Sequence, residues 1–133
     1  MKFFYKAILL LFFVFNSTIT KADYVDISSA REVAENYLIF SSKATSNMTL
    51  THVHTEYVGN VPIHYVFNIN NTAHIIISAD DMISPIRAYI NGVYSNSSNT
   101  TLDYWMDLQK YYFQDSVISN QTDRKLNEWN FYS

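Results

Sequence analysis

Val58-Gly59-Asn60-Val61 joins two runs of strand-like character, residues 50–58 and 61–68, and Ala73-His74-Ile75-Ile76-Ile77-Ser78 follows closely behind them. Gly59-Asn60 suits a type II′ hairpin turn, because glycine tolerates the positive φ needed at the first central position. Pairing Val58 with Val61 sets Ile63, Tyr65 and Phe67 opposite Glu56, His54 and His52. That face mixes apolar and ionisable groups, so a bulge or a one-residue slip is expected within the pair. The apolar run 73–78 reads as a central strand, buried on both faces. Asp80-Asp81 turns the chain, and Pro85 then opens a further strand, residues 86–90, where its missing N–H costs no ladder bond. Asn91-Gly92 marks the next turn. The result is an antiparallel meander.

Helices flank the sheet on either side in sequence. Ser29-Ala30-Arg31-Glu32 matches a capping box, in which hydroxyl and carboxylate satisfy free N–H groups reciprocally. Ala30, Val33, Ala34, Tyr37 and Leu38 then recur at helical spacing until the polar run 41–47 ends the helix. Residues 95–101 form a loop of Ser, Asn and Thr. Within it Thr100, with Asp103 three residues on, has the character of a helix start. Leu102, Trp105, Met106, Tyr112 and Phe113 mark one side of a helix running to Ile118. The stretch 120–133 is polar but carries Leu126, Trp129, Phe131 and Tyr132, as a short helix or an extended tail. Trp129, Phe131 and Tyr132 either pack on their own domain or dock on another protein. The fold class is α+β, an antiparallel sheet of about four strands packed with an N-terminal and a C-terminal helix.

Residues 1–22 read as a signal peptide. Lys2 and Lys6 precede the uncharged apolar run 7–15, and Thr20-Lys21-Ala22 offers small residues at the positions that flank a cleavage site. The apolar run is shorter than the ~20 residues that span a bilayer, so no stable membrane anchor is expected once it is removed. An exported protein follows, periplasmic or extracellular, whose residues 23–133 make one small domain. Loss of Lys2, Lys6 and Lys21 leaves six basic residues against twelve acidic ones, a net charge of −6 that disfavours a nucleic-acid partner. Small exported domains often rely on disulfides, yet the chain has no cysteine. Burial must hold it together, and an aromatic content of 17% supplies the means.

The residues that could carry chemistry fall short of a catalytic site. His52-Val53-His54 places two imidazoles on one face of a regular strand with Glu56, but the expected register sends His64 to the opposite side, and His74 sits within the apolar run. Neither a metal nor any other cofactor is expected. Asp80 and Asp81 are adjacent, so their side chains diverge in extended backbone, and an Asp in a turn hydrogen-bonds local backbone. The chain has no Gly-x-Ser-x-Gly elbow, and its two glycines cannot build a phosphate-cradling loop. The five Asn-x-Ser/Thr triplets beyond residue 22 follow from an Asn-rich composition. An enzyme is not expected.

Tyr65-Val66-Phe67-Asn68, Ile75-Ile76-Ile77-Ser78-Ala79-Asp80-Asp81, Pro85-Ile86, Ala88-Tyr89, Gly92-Val93-Tyr94 and Trp105-Met106 occur in an order that resembles the pro-domain of streptopain-type cysteine proteases. The helix with Ala30 and Ala34 is similar to the start of that pro-domain. This chain has Ala73-His74 where the family has Gly and an aromatic, and Arg87-Ala88 where it has an aliphatic and Gly. In the family the pro-domain precedes a papain-like catalytic domain, blocks its cleft, and sends the loop before its closing helix towards the catalytic residues. Carried over, that loop is Asn96, Ser97, Ser98, Asn99, Thr100 and Thr101. The chain reaches Ser133 without a catalytic domain or a cysteine nucleophile. The resemblance therefore implies a free-standing inhibitor whose partner is a streptopain-type cysteine protease. The rival readings are an exported binding or envelope domain and a remnant of a protease precursor.

Overall fold

A computed structural model describes residues 24–95, 100–116 and 123–133. Elements run in the order α1 (Ile27–Phe40), β1 (Leu50–Val58), β2 (Val61–Ile69), β3 (Ala73–Ser78), β4 (Ile86–Asn91), α2 (Thr100–Ser116) and α3 (Asp123–Tyr132). The strands form one antiparallel sheet in the order β1-β2-β3-β4, so the α+β meander is as expected and β3 is internal, with all six of its residues buried. The signal peptide read over residues 1–22 lies outside the described residues. Among the described residues no helix is long and apolar enough to cross a membrane.

The hairpin closes where its turn chemistry places it. Val58 pairs with Val61 across Gly59, whose φ is +60°. Two irregularities then interrupt the ladder, between Glu56 and Tyr57 and between His52 and His54. They offset one another, so Glu56 lies opposite His64 and His54 opposite Val66, while His52 still meets Phe67. The expected placement of His52 and His54 on one face is thereby corrected. His52 packs edge-on to Tyr65 and Phe67 on one side of the sheet, and His54 stacks on Tyr94 on the other. A bulge turns successive side chains out of strict alternation, which is how neighbouring imidazoles part company.

The two faces carry different helices. On one, Ala30, Val33, Ala34 and Leu38 of α1 pack on Tyr65, Phe67, Ile69, Ile75 and Ile77, together with Trp129 of α3. On the other, Met106 of α2, with Leu102 and Trp105, packs on Val66 and Ile76. Each fully buried Leu, Ile or Phe side chain contributes about 1.5–3 kcal/mol, which is what a chain without disulfides depends on. Tyr112, expected on the packed side of α2, is instead exposed, and the side chain of Phe113 lies outside the described residues.

Helix α1 starts earlier than the capping box implies. Asp26 is the N-cap, and its carboxylate accepts the backbone N–H groups of Ser28 (2.8 Å) and Ser29 (2.9 Å). A carboxylate is a stronger acceptor than the Ser29 hydroxyl and complements the positive end of the helix, so it wins the position. At the other end Ser42 adopts φ +56°. Its N–H reaches Ile39 O (3.1 Å) and that of Lys43 reaches Leu38 O (2.8 Å), the pair of bonds that defines a Schellman stop.

The carboxy-terminal stretch resolves into a helix on its own domain. Trp129 is buried, and its Nε1–H donates to Ile83 O at 2.7 Å. Tyr132 lies edge-on to Tyr37 with ring centres 5.8 Å apart, and Asn36 Nδ2 donates to Tyr132 O at 2.7 Å. Phe131 leans on Phe40 at 5.1 Å while remaining 60% exposed.

Candidate functional site

The segment singled out by the resemblance leaves the sheet after β4 and enters α2. Asn96, Ser97, Ser98 and Asn99 lie outside the described residues, whereas Thr100 and Thr101 form the first turn of α2 rather than loop. What the structure displays is how both ends of the segment are held.

The leading end is held by polar side chains of the sheet. Beyond Asn91 the chain turns at Gly92, where φ is +104°, and Gly92 N–H donates to Thr72 O at 2.7 Å. A positive φ of this kind is open to glycine and strained for other residues. Tyr94 then lies over β1, β2 and β3. Its N–H donates to Asn68 Oδ1 at 2.9 Å, and Asn68 Nδ2 donates back to Tyr94 O at 3.4 Å. His74 Nδ1 bonds Gly92 O at 2.7 Å, and since a carbonyl only accepts, Nδ1 carries the proton. The Tyr94 ring stacks on His54 at 5.3 Å and meets His74 edge-on at 5.8 Å.

The trailing end is held by α2. Lys110 Nζ contacts Glu56 Oε1 at 2.5 Å, while His54 Nε2 contacts Glu56 Oε2 at 2.8 Å. Burial pushes the Glu56 carboxyl up, but Lys110 and His54 together outweigh it and hold the group below the usual glutamate value. The hydrogen bond to Glu56 raises Lys110 in turn. Arg87 Nη2 donates to Gln109 Oε1 from β4. Met106, Leu102 and Trp105 supply the apolar contact beneath.

Polar side chains of the sheet and of α2 thus flank the segment on both sides. Among the described residues no group of three or more His, Asp or Glu could hold a metal ion. Asp80 has the turn role expected of it, accepting Met82 N–H at 2.8 Å. Of the tail aromatics, Trp129 is a core side chain, Tyr132 is half-buried and Phe131 is the most accessible. Sequence reasoning missed Asn68, His54 and His74 as supports of the segment. Asn68 was visible within Tyr65-Val66-Phe67-Asn68 as a polar residue ending an apolar strand, but its partner lies 26 residues away.

The sheet and α2 hold the chain on either side of the polar segment, an arrangement suited to the binding class of proteins. The match to known families makes the class specific: the chain belongs to the Spi protease inhibitor family, which it matches over residues 12–114. No curated protein and no solved structure matches the chain. The protein is thus a protease inhibitor and its partner a protease. The matched region contains the whole sheet, the segment 95–101 and nearly all of α2, and it stops before α3.

Proposed function

We propose that residues 23–133 form an exported inhibitor of a streptopain-type, papain-like cysteine protease, acting as a pro-domain does by occluding the active-site cleft. Membership of the Spi protease inhibitor family carries this reading, because the matched region spans the segment that the pro-domain resemblance directs at the catalytic residues. Asn96, Ser97, Ser98 and Asn99 enter the cleft, flanked by Thr100 and Thr101 at the head of α2. Their amides and hydroxyls hydrogen-bond groups that otherwise hold substrate or orient the catalytic imidazole. Anchoring at Tyr94 and along α2 lowers the ordering cost of association. Acting as a separate partner, the domain would occupy the cleft according to its concentration and interface quality.

The test is titration of a streptopain-type protease from the same organism with purified residues 23–133, with papain as control. Stoichiometric loss of activity confined to the first enzyme is expected. Replacing residues 96–99 by Gly and Ser is expected to weaken inhibition about 30-fold or more, the effect of losing a binding hot spot, with the fold retained. Full activity of the protease at micromolar inhibitor would overturn the reading. The export step is checked by sequencing the amino terminus of the protein released by the cell, expected to be Asp23.

A further inference from the structure

The chain meets a problem as it leaves β4. From Gly92 it crosses the α2 face of the sheet, where Tyr94 lies over the strands and has no strand beside it to accept and donate its backbone bonds. A covered peptide group without partners is costly, so each needs a side chain. Asn68 supplies both bonds from one carboxamide, accepting from Tyr94 N–H and donating to Tyr94 O. Only Asn and Gln carry a donor and an acceptor side by side in this way. Asn68 is 8% exposed and pairs across the ladder with His74, so the two side chains stand together on one face. His74, 4% exposed, uses its Nδ1–H on Gly92 O, two residues before Tyr94.

We infer that Asn68 and His74 are positioning residues for inhibition: they fix the backbone from Gly92 to Tyr94 and so set the point and direction from which the protease-contacting segment departs. The inference rests on the reading of 96–101 as that segment. Neither residue touches the protease; both act through the backbone they hold. An error of ångström size at the departure point is enough to spoil an interaction that depends on alignment.

Two pairs of variants test it, each read by inhibition of the streptopain-type protease and by amide hydrogen exchange of the full domain. Asn68→Ala removes both bonds, and Asn68→Asp keeps the acceptor alone. His74→Leu removes the donor, and His74→Asn restores an N–H close to the place of Nδ1. Asn68→Ala is expected to accelerate exchange at the Tyr94 amide, leave β2 and β3 protected, and weaken inhibition at least tenfold. Asn68→Asp should fall between Ala and the native residue. His74→Asn should recover inhibition that His74→Leu loses, a rescue that general destabilisation would not produce. Undiminished inhibition by Asn68→Ala with a freely exchanging Tyr94 amide would overturn the inference. If Asn68→Ala fails to fold, equal inhibition by the two His74 variants overturns it instead. Failure of the underlying reading shows separately, since the native domain itself would then leave the protease active.

Discussion

His64 is 2% exposed, and neither ring nitrogen has a protein partner among the described residues. It faces Glu56 on β1, Arg87 on β4 and the Trp105 ring of α2 at 6.0 Å; across β3 its partner is the uncharged Ser78, with His74 further along the same face. Lys110 of α2 reaches this region through Glu56. Burial, reinforced by the Arg87 charge and only partly opposed by Glu56, lowers the His64 pKa from 6.5 to about 4. The folded protein therefore binds fewer protons than the unfolded chain between these values, so this contribution is complete above pH 6.5 and is lost as pH falls towards 4. The loss is about 3 kcal/mol by pH 4, to be read as a falling urea midpoint between pH 7 and pH 4. Exchanging the imidazole for a side chain that needs no partner, His64→Leu, should remove most of that slope while leaving stability at pH 7 equal or higher. Ser42 offers a second test at this scale. Its φ of +56° suits glycine, so Ser42→Gly should raise stability by about 0.5–1 kcal/mol in the same assay. Residue types were legible here, but their surroundings were not: His64 looked like one of four similar histidines until three elements closed over it.

Among the elements, α3 has an importance its polarity conceals. It lies beyond the region matched to the inhibitor family, yet Trp129 fills the same core as α1 and fixes the turn before β4 through Ile83. Trp129→Ala is expected to cost about 3–5 kcal/mol in chemical denaturation, while the fraction that stays folded binds protease with unchanged affinity. A change at residues 96–99 should do the reverse. The four strands, α1 and α2 were readable because periodicity and turn residues report them locally, Gly59-Asn60 and the run 73–78 above all. An irregularity in the pairing of β1 with β2 was foreseeable from its mixed face, but the number and position of the bulges were not, since these depend on what each face packs against. The N-cap at Asp26 was missed because Ser29 and Glu32 satisfy a stronger sequence pattern three residues later. The polar supports of the candidate site escaped for another reason: Asn68 acquires its meaning only when a segment distant in sequence crosses above it.

Over the whole molecule, contacts divide by their distance along the chain. Every strand pairs with its neighbour in sequence, whereas the junction of α1 with α3 joins residues 96 positions apart, as in the bond from Asn36 to Tyr132. Bringing distant segments together carries the larger loop-closure cost. Contacts between neighbouring strands are accordingly favoured early in folding, and the terminal helices meet late. Mutations at Ile75 or Val66 should slow folding, whereas Asn36→Ala should chiefly speed unfolding, a contrast that stopped-flow kinetics can resolve. A chain passing through a half-folded state would then already have its sheet, with Asn68 and His74 in place, while its two ends were still separate. The supports of the segment proposed to meet a protease would be in place before the molecule is closed.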